Sequence, residues 1–225
     1  MGEELKRERI AAFFDFDKTL VEVESGKMGF QWLKDHQMLP LGFFLKVVIA
    51  NAFYRVHLIP EELMVKVLLS FYRKKRLADF ERIAEEFYQT YLQPHLAPQI
   101  LARTQFHKKQ KHLLVLISGS LRYYLEPVVK NLGFDHLLCT ELEVGEDGLL
   151  TGRSRGPVCV GENKRQLILK LIRQVGVDMS ESYAYGNHQA DIPLLEMVGN
   201  PYAVEPTTPL RIVARQRSWP ILTYR

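Results

Sequence analysis

Five apolar residues, Ile10-Ala11-Ala12-Phe13-Phe14, run without a break into Asp15, Phe16 and Asp17. No other stretch constrains the fold as strongly. An apolar run of that length that ends on charge reads as a strand buried on both faces of a parallel sheet. In such sheets ligands bind just outside the carboxyl ends of the strands, where Asp15 and Asp17 stand. On an extended chain, side chains two residues apart share a face, so both carboxylates can converge on one site. Like charges held that close need a cation, a shared proton or solvent to compensate them. The plainer account is a strand end whose aspartates cap a turn, and the motif alone does not separate the two.

With 225 residues, the chain carries one large domain, or one core domain with a smaller appendage. It is 47% hydrophobic and 25% charged, which excludes a mainly disordered protein. The net charge of +4 suits anionic ligands without requiring nucleic acid. Cys139 and Cys159 lie in apolar surroundings without metal-ligand spacing and read as buried thiols of a reducing compartment. The charged start, Met1 to Arg9, has no apolar signal core, and Lys6 stands where a myristoylation motif wants Ser or Thr. The most apolar window, Leu39 to Ile59, is broken by Lys46, Asn51, Arg55 and His57 and is a poor transmembrane span. A soluble, cytoplasmic protein without a transmembrane segment is expected.

After the opening strand, Val21 to about Phe106 shows helical spacing and no clear strand. Apolar residues recur three and four apart at Leu63, Val67 and Phe71, and at Phe80, Ile83, Phe87 and Tyr91. Pro40, Pro60, Pro94 and Pro98 divide it into several helices. So long an insertion at an active-site edge reads as a lid or specificity element. The α/β pattern resumes at His112–Ile117, a strand ended by Ser118-Gly119-Ser120, with a helix from Tyr123 to Leu132 closed by Gly133. Leu137–Val144, Asp147-Gly148 and Leu149–Thr151 predict a hairpin. A helix over Lys164–Val175, a strand at Ser182–Tyr185, a helix through Met197 and short strands at Tyr202–Val204 and Trp219–Leu222 complete the chain. The basic runs Arg73–Arg76 and His107–Lys111 lack interleaved aromatics and read as solvated helix faces, not a nucleic-acid surface.

Four elements converge on one edge of the predicted sheet: Asp15/Asp17, Ser118-Gly119, Lys164 and the loop Gly186–Asp191. They supply two carboxylates, a hydroxyl beside backbone N–H groups, a cation and further oxygen ligands. That inventory fits phosphoryl transfer, in which a carboxylate attacks phosphorus, a hard divalent cation screens the charge, and donors stabilise the transferring oxygens.

With these residues in hand, the chain resembles haloacid dehalogenase (HAD) superfamily phosphatases, subfamily IB, of the phosphoserine phosphatase-like branch. Asp15-Phe16-Asp17-Lys18-Thr19 matches the family's first motif, Asp-x-Asp-x-Thr/Val. Ser118 matches the hydroxyl residue ending a hydrophobic strand, Lys164 the third-motif lysine, and Gly186–Asp191 the fourth, Gly-Asp-x-x-x-Asp-type loop. The resemblance implies an α/β, doubly wound, mostly parallel core from residues 1–23 and 107–225, with a helical cap from 24–106. It implies Asp15 as nucleophile, Asp17 as general acid and base, and Lys164 offsetting charge. Thr19, Ser118 and Gly119 would bind the phosphoryl end, and Mg²⁺ would sit on Asp15, Asp17, Asn187 and Asp191.

One departure stands out: Asn187 replaces the usual first aspartate of the fourth motif, which removes a charge from the expected metal site. His188 is either a phosphate contact or a solvent-facing helix start. Glu24 stands where phosphoserine phosphatases read the substrate amine, and it is equally an exposed carboxylate at a helix start. The expected activity is Mg²⁺-dependent hydrolysis of a small phosphorylated metabolite, phosphoserine-like or otherwise, through an aspartyl phosphate. A lipid-phosphate phosphatase, a phosphotransferase, or a phosphate-binding protein weakened by Asn187 are the alternatives.

Overall fold

In the computed structural model, which describes residues 9–56 and 58–225, the apolar run becomes the central strand of a six-stranded sheet. The charged residues 1–8 and His57 lie outside the described residues. β1 (Ala11–Asp15) is followed by α1 (Ser25–Asp35), α2 (Leu41–Arg55), α3 (Glu61–Leu69), a 3-10 turn at Ser70–Tyr72 and α4 (Leu77–Phe87). A π turn at Tyr88–Leu92 and a 3-10 turn at Gln93–His95 lead to α5 (Pro98–Lys109). Then come β2 (Leu113–Leu121), α6 (Arg122–Leu132), β3 (His136–Thr140), β4 (Leu142–Val144), β5 (Leu150–Ser154) and α7 (Gly161–Val175). β6 (Tyr183–Gly186), a 3-10 turn at Gln189–Asp191 running into α8 (Ile192–Leu195), β7 (Asn200–Val204), α9 (Thr208–Gln216) and β8 (Ile221–Leu222) close the chain.

The strand order is β3-β2-β1-β6-β7-β8, and every neighbouring pair is parallel. The chain therefore winds outward from β1 in one direction, then returns and winds outward in the other. The crevice at that reversal opens at the carboxyl ends of β1 and β6. Ala11 to Phe14 are each 0% exposed, and alternation sends them to opposite faces. Ala11 and Phe13 pack among side chains of α7, α8 and α9, including Ile168, Leu194 and Leu210. Phe14 faces the other layer, stacked on Tyr185 at 4.5 Å and meeting Phe134 and His107 edge-on at 5.7 and 5.9 Å. Each phenylalanine so buried contributes about 1.5–3 kcal/mol.

Between β1 and β2 the insertion is helical, as expected. α4 turns Phe80, Ala84 and Phe87 inward, and Tyr72 reaches α6, where its hydroxyl meets that of Tyr123 at 2.7 Å. α5 lies on the sheet itself, with Ile100, Thr104 and His107 buried and His107 Nε2 paired to the Tyr185 hydroxyl at 2.8 Å. α2 is apolar nearly all round yet buries only Val47 and Ala50, leaving Leu45, Val48, Ile49 and Phe53 exposed.

Four expectations need correction. The run Leu137–Val144 is not one hairpin strand: it divides at Glu141, and β3 joins the main sheet while only β4 pairs with β5. Glu141 is drawn out of the ladder by Arg122 at 2.8 Å and Arg155 at 3.3 Å. β2 does not end at Ser118 but continues to Leu121, with its register against β3 shifting after Ile117. The basic run at Arg73 is not a helix face. It is a connector whose Lys74 N–H and Lys75 carbonyl bond Leu150, and Lys75 lies 3.0 Å from the Phe71 ring centre. The helix expected through Met197 is a 3-10 turn and one turn of α8, and α9 comes in addition.

Candidate active site

β1 delivers Asp15 to the crevice, and two neighbours hold its carboxylate in separate directions. Lys164, in the first turn of α7, reaches Asp15 Oδ1 at 2.8 Å, and the Thr19 hydroxyl donates to Oδ2 at 3.1 Å. Thr19 is brought back by a tight loop in which the amides of Thr19, Leu20 and Val21 all point to the Phe16 carbonyl. Lys18, at φ 59°, supplies the left-handed residue that this reversal needs. Lys164 also meets Asp191 Oδ1 at 2.7 Å. Asp191 Oδ2 accepts the Asn187 and His188 amides at 3.1 and 3.0 Å, so the loop after β6 folds around its own carboxylate. A Cβ on Gly186 would lie 2.6 Å from Asp191 Cβ, so only glycine fits beneath it.

Asp17 belongs to a second network. The Ser25 N–H at the start of α1 donates to Asp17 Oδ1, and the Ser120 hydroxyl donates to Oδ2 at 3.3 Å. Ser25 and Ser120 hydroxyls lie 2.6 Å apart. Asp17 thereby caps α1 from outside, where the positive end of the helix favours a carboxylate. Ser118 Oγ accepts the Ser120 amide at 3.0 Å, and the Gly119 carbonyl accepts the Thr140 hydroxyl at 2.8 Å.

Burial governs the charges. It pushes Asp15 up, Asp191 pushes it further, and Lys164 only partly opposes this. Burial also raises Asp17, against the lowering effect of its bonds to Ser25 and Ser120. For Lys164, burial acts against the charge, but Asp15 and Asp191 more than offset it and the ammonium stays protonated. One buried lysine thus sits between two carboxylates, with a third close by, and burial pushes both Asp15, to about 7, and Asp17 toward the neutral form.

Asp15, Thr19, Lys164 and Asp191 form one connected cluster, and Asp17 with Ser118 and Gly119 lines the adjoining side. Glu24 stands one residue before α1, ion-paired with Lys27 at 2.7 Å. His188 is the helix-start residue of its two readings: its Nδ1 accepts the Ala190 amide at 3.3 Å, and the side chain is exposed. Asn187 is half-buried, and its main-chain carbonyl accepts the Thr207 amide at 2.9 Å. Ser25, Ser120 and Thr140 are the site residues that sequence reasoning missed. A helix start eight residues after Asp17 was the available signal for Ser25. The cysteines are both free and buried, which lifts Cys139 to about 12 and Cys159 to about 11.

The ligands that the resemblance implies at the ends of β1 and β6 are all oxygens: the Asp15 carboxylate, the Asp17 main-chain carbonyl, the Asn187 side-chain amide and Asp191. Such a set fits a hard divalent cation and not a thiolate- or imidazole-seeking one. Both Asp191 oxygens already have partners, which suits a water-bridged role better than a direct one. Among the described residues no group of three His, Cys, Asp or Glu side chains is gathered around one point, so the amide and carbonyl would have to contribute.

The fold and site define a hydrolase with a carboxylate at the tip of its central strand. Residues 12–196 match the haloacid dehalogenase-like hydrolase family, and the chain belongs to it. A histidinol-phosphatase from Neisseria meningitidis serogroup C is 27% identical over 95% of this chain and 98% of its own length. A phosphoserine phosphatase from Mycobacterium tuberculosis is 27% identical over 96% of this chain and 71% of its own. A solved structure from Bordetella pertussis Tohama I, of unknown function, superposes with a TM-score of 0.87 at 23% identity, covering 97% of this chain and all of that one. Among the described residues no helix is long and apolar enough to cross a membrane.

Proposed function

We propose that the chain is a Mg²⁺-dependent phosphomonoester hydrolase that works through a covalent phosphoryl-Asp15. The observation that carries this reading is the division of labour between two carboxylates. Asp15 is oriented by Lys164 and Thr19, and Asp17, two residues on, is held by Ser25 and Ser120. Named phosphatases among its relatives support it.

The ester's phosphoryl group lies against Ser118, the Gly119 amide and Lys164, whose donors offset the charge on its oxygens. An Asp15 oxygen forms the new bond to phosphorus as the bond to the leaving oxygen breaks. Asp17, raised by burial, gives its proton to that leaving oxygen. A water then attacks phosphorus, Asp17 takes back a proton, and phosphate leaves with Asp15 regenerated. Asp15, the Asp17 carbonyl and Asn187 would hold the cation, with Asp191 behind them, and when bound it neutralises charge between nucleophile and phosphoryl group. Asn187 brings no charge to that set. A cytoplasmic setting fits the two free, buried thiols.

The insertion, α1 to α4 at least, acts as the lid over this site. α5 packs on the sheet, so we assign it to the core and put the end of the lid near Leu96–Pro98, before the residue-106 boundary that the resemblance implies. Turnover of p-nitrophenyl phosphate with and without Mg²⁺, and acid-quench trapping of phosphoprotein, test the proposal. Asp15→Asn should lower turnover by about 10⁴-fold or more while the protein stays folded. Turnover that survives this change eliminates the covalent route.

A further inference from the structure

We propose that the substrate's leaving group is an uncharged apolar moiety, an aryl ring or a short alkyl chain, seated in a recess between the insertion and the sheet. This rests on the phosphomonoester reading for the phosphoryl end and goes beyond it for the rest of the substrate. The recess has a volume of about 200 Å³. Gly119 and Ser120 of β2 form its floor, and Phe30, Leu69, Phe71 and Tyr124 stand in its walls.

Its position is set by Ser120. That hydroxyl bonds Asp17 Oδ2 at 3.3 Å and Ser25 Oγ at 2.6 Å, so the recess begins beside the acid that protonates the leaving oxygen. Whatever that oxygen carries extends past Ser120 into the recess. No charged side chain lines it. An amino-acid leaving group would lose the water around its ammonium and carboxylate there and find no ionic partner. Glu24, one residue before α1, is engaged by Lys27 at 2.7 Å and is not part of the lining. The Tyr72 hydroxyl is already bonded to those of Tyr123 at 2.7 Å and Tyr124 at 3.3 Å, and the Thr140 hydroxyl to the Gly119 carbonyl at 2.8 Å, so these polar groups of the lining are satisfied without a ligand. A dry cavity of about 150 Å³ accepts benzene, so this one takes a ring with a few further atoms, or a chain of like size. It opens on a cleft of about 1410 Å³, sharing Val65, Leu69, Val158 and Val160, with Lys66, Arg73 and Lys74 along it. Longer groups leave by that route.

The test compares methyl-, propyl-, hexyl- and phenylphosphonate binding by calorimetry, together with kcat/KM for the matching phosphate esters and for phosphoserine. Each added methylene should improve affinity and kcat/KM about fourfold until the recess is full. Phenyl and hexyl phosphate should outrun phosphoserine. Leu68→Asp, at a lining position that is 40% exposed and so tolerant of change, should reduce the increment per methylene toward one, and Val65→Asp provides a second case. Affinity that is flat with chain length, or phosphoserine as the better substrate, overturns the inference while leaving phosphomonoester hydrolysis intact. Chain-length-dependent phosphonate binding with no ester hydrolysed overturns the hydrolase reading instead and leaves the recess standing.

Discussion

At the carboxyl end of β1, polar groups are buried, whereas on the outer side of α2 large apolar groups are exposed. Both reverse the usual sorting of side chains. At the strand end, Asp15, Thr19, Lys164 and Asp191 each have a named partner within 3.1 Å, so every group depends on its neighbours. On α2, Leu45 is 50% and Ile49 56% exposed, and neither is among the side chains packed against the main core. Sensitivity to change should therefore follow connectivity, not hydrophobicity: polar replacements should be costly where partners are shared and cheap where none are.

The sharpest break of that contrast is Lys164→Met. It leaves two carboxylates facing each other without their common cation, and the expected loss is about 3–5 kcal/mol in denaturant unfolding. Adding Asp15→Asn to it should recover part of the loss, because one stranded charge is gone. A loss under 1 kcal/mol would mean that the cluster is not closed as described.

Next in size is Gly186→Ala. The new methyl would press on Asp191 Cβ at 2.6 Å and its Oδ2 at 2.9 Å, and the neighbour is a carboxylate tied to two amides and a lysine. A cost of about 1–3 kcal/mol is expected, read as a lowered melting temperature.

A third test lies under the sheet. Burial, with help from His112 and Arg103, pushes His107 down to about 4. The neutral ring is therefore the form the fold keeps, and the unfolded chain takes up this proton first as pH drops below about 6.5. Stability tied to His107 is complete above that pH and is lost as pH falls from about 6.5 to about 4. The loss should be about 2 kcal/mol, and His107→Gln should remove that part of the slope in a pH series of unfolding curves. Parallel slopes in the two proteins would show that His107 does not resist protonation.

The smallest effect belongs to the outer face. Ile49→Lys should change stability by less than about 0.5 kcal/mol in the same unfolding assay, although it replaces a large apolar residue with a charge. A loss comparable to that of Gly186→Ala would show that α2 is covered in solution.

Local features were legible in the sequence and long-range ones were not. The apolar run and its two aspartates located the central strand, and Gly133 and Gly176 closed their helices in the left-handed conformation, at φ 65° and 68°. Asp15, Thr19, Lys164 and Asp191 were selected by motif and do meet. Ser25 and Ser120 were missed because their pairing spans 95 residues and depends on where α1 starts relative to the end of β2. The division at Glu141 was hidden by an otherwise apolar stretch, since its two arginine partners lie outside it. α9 was missed because its buried stripe is short, essentially Leu210 and Ala214.

The position of β1 also sets an order of events during synthesis. Its ladder partners are β2, some hundred residues downstream, and β6, which follows later still. As the chain emerges, the apolar segment Ala11–Phe14 must wait unpaired while the helices of the insertion, whose contacts are nearer in sequence, can already form. The pairing of Asp15 with Lys164 spans 149 residues, and Lys164 needs Asp191 a further 27 on. A nascent chain therefore carries Asp15 and its near neighbour Thr19 long before it carries the lysine that completes their cluster, and that cluster closes only once the chain through Asp191 has left the ribosome.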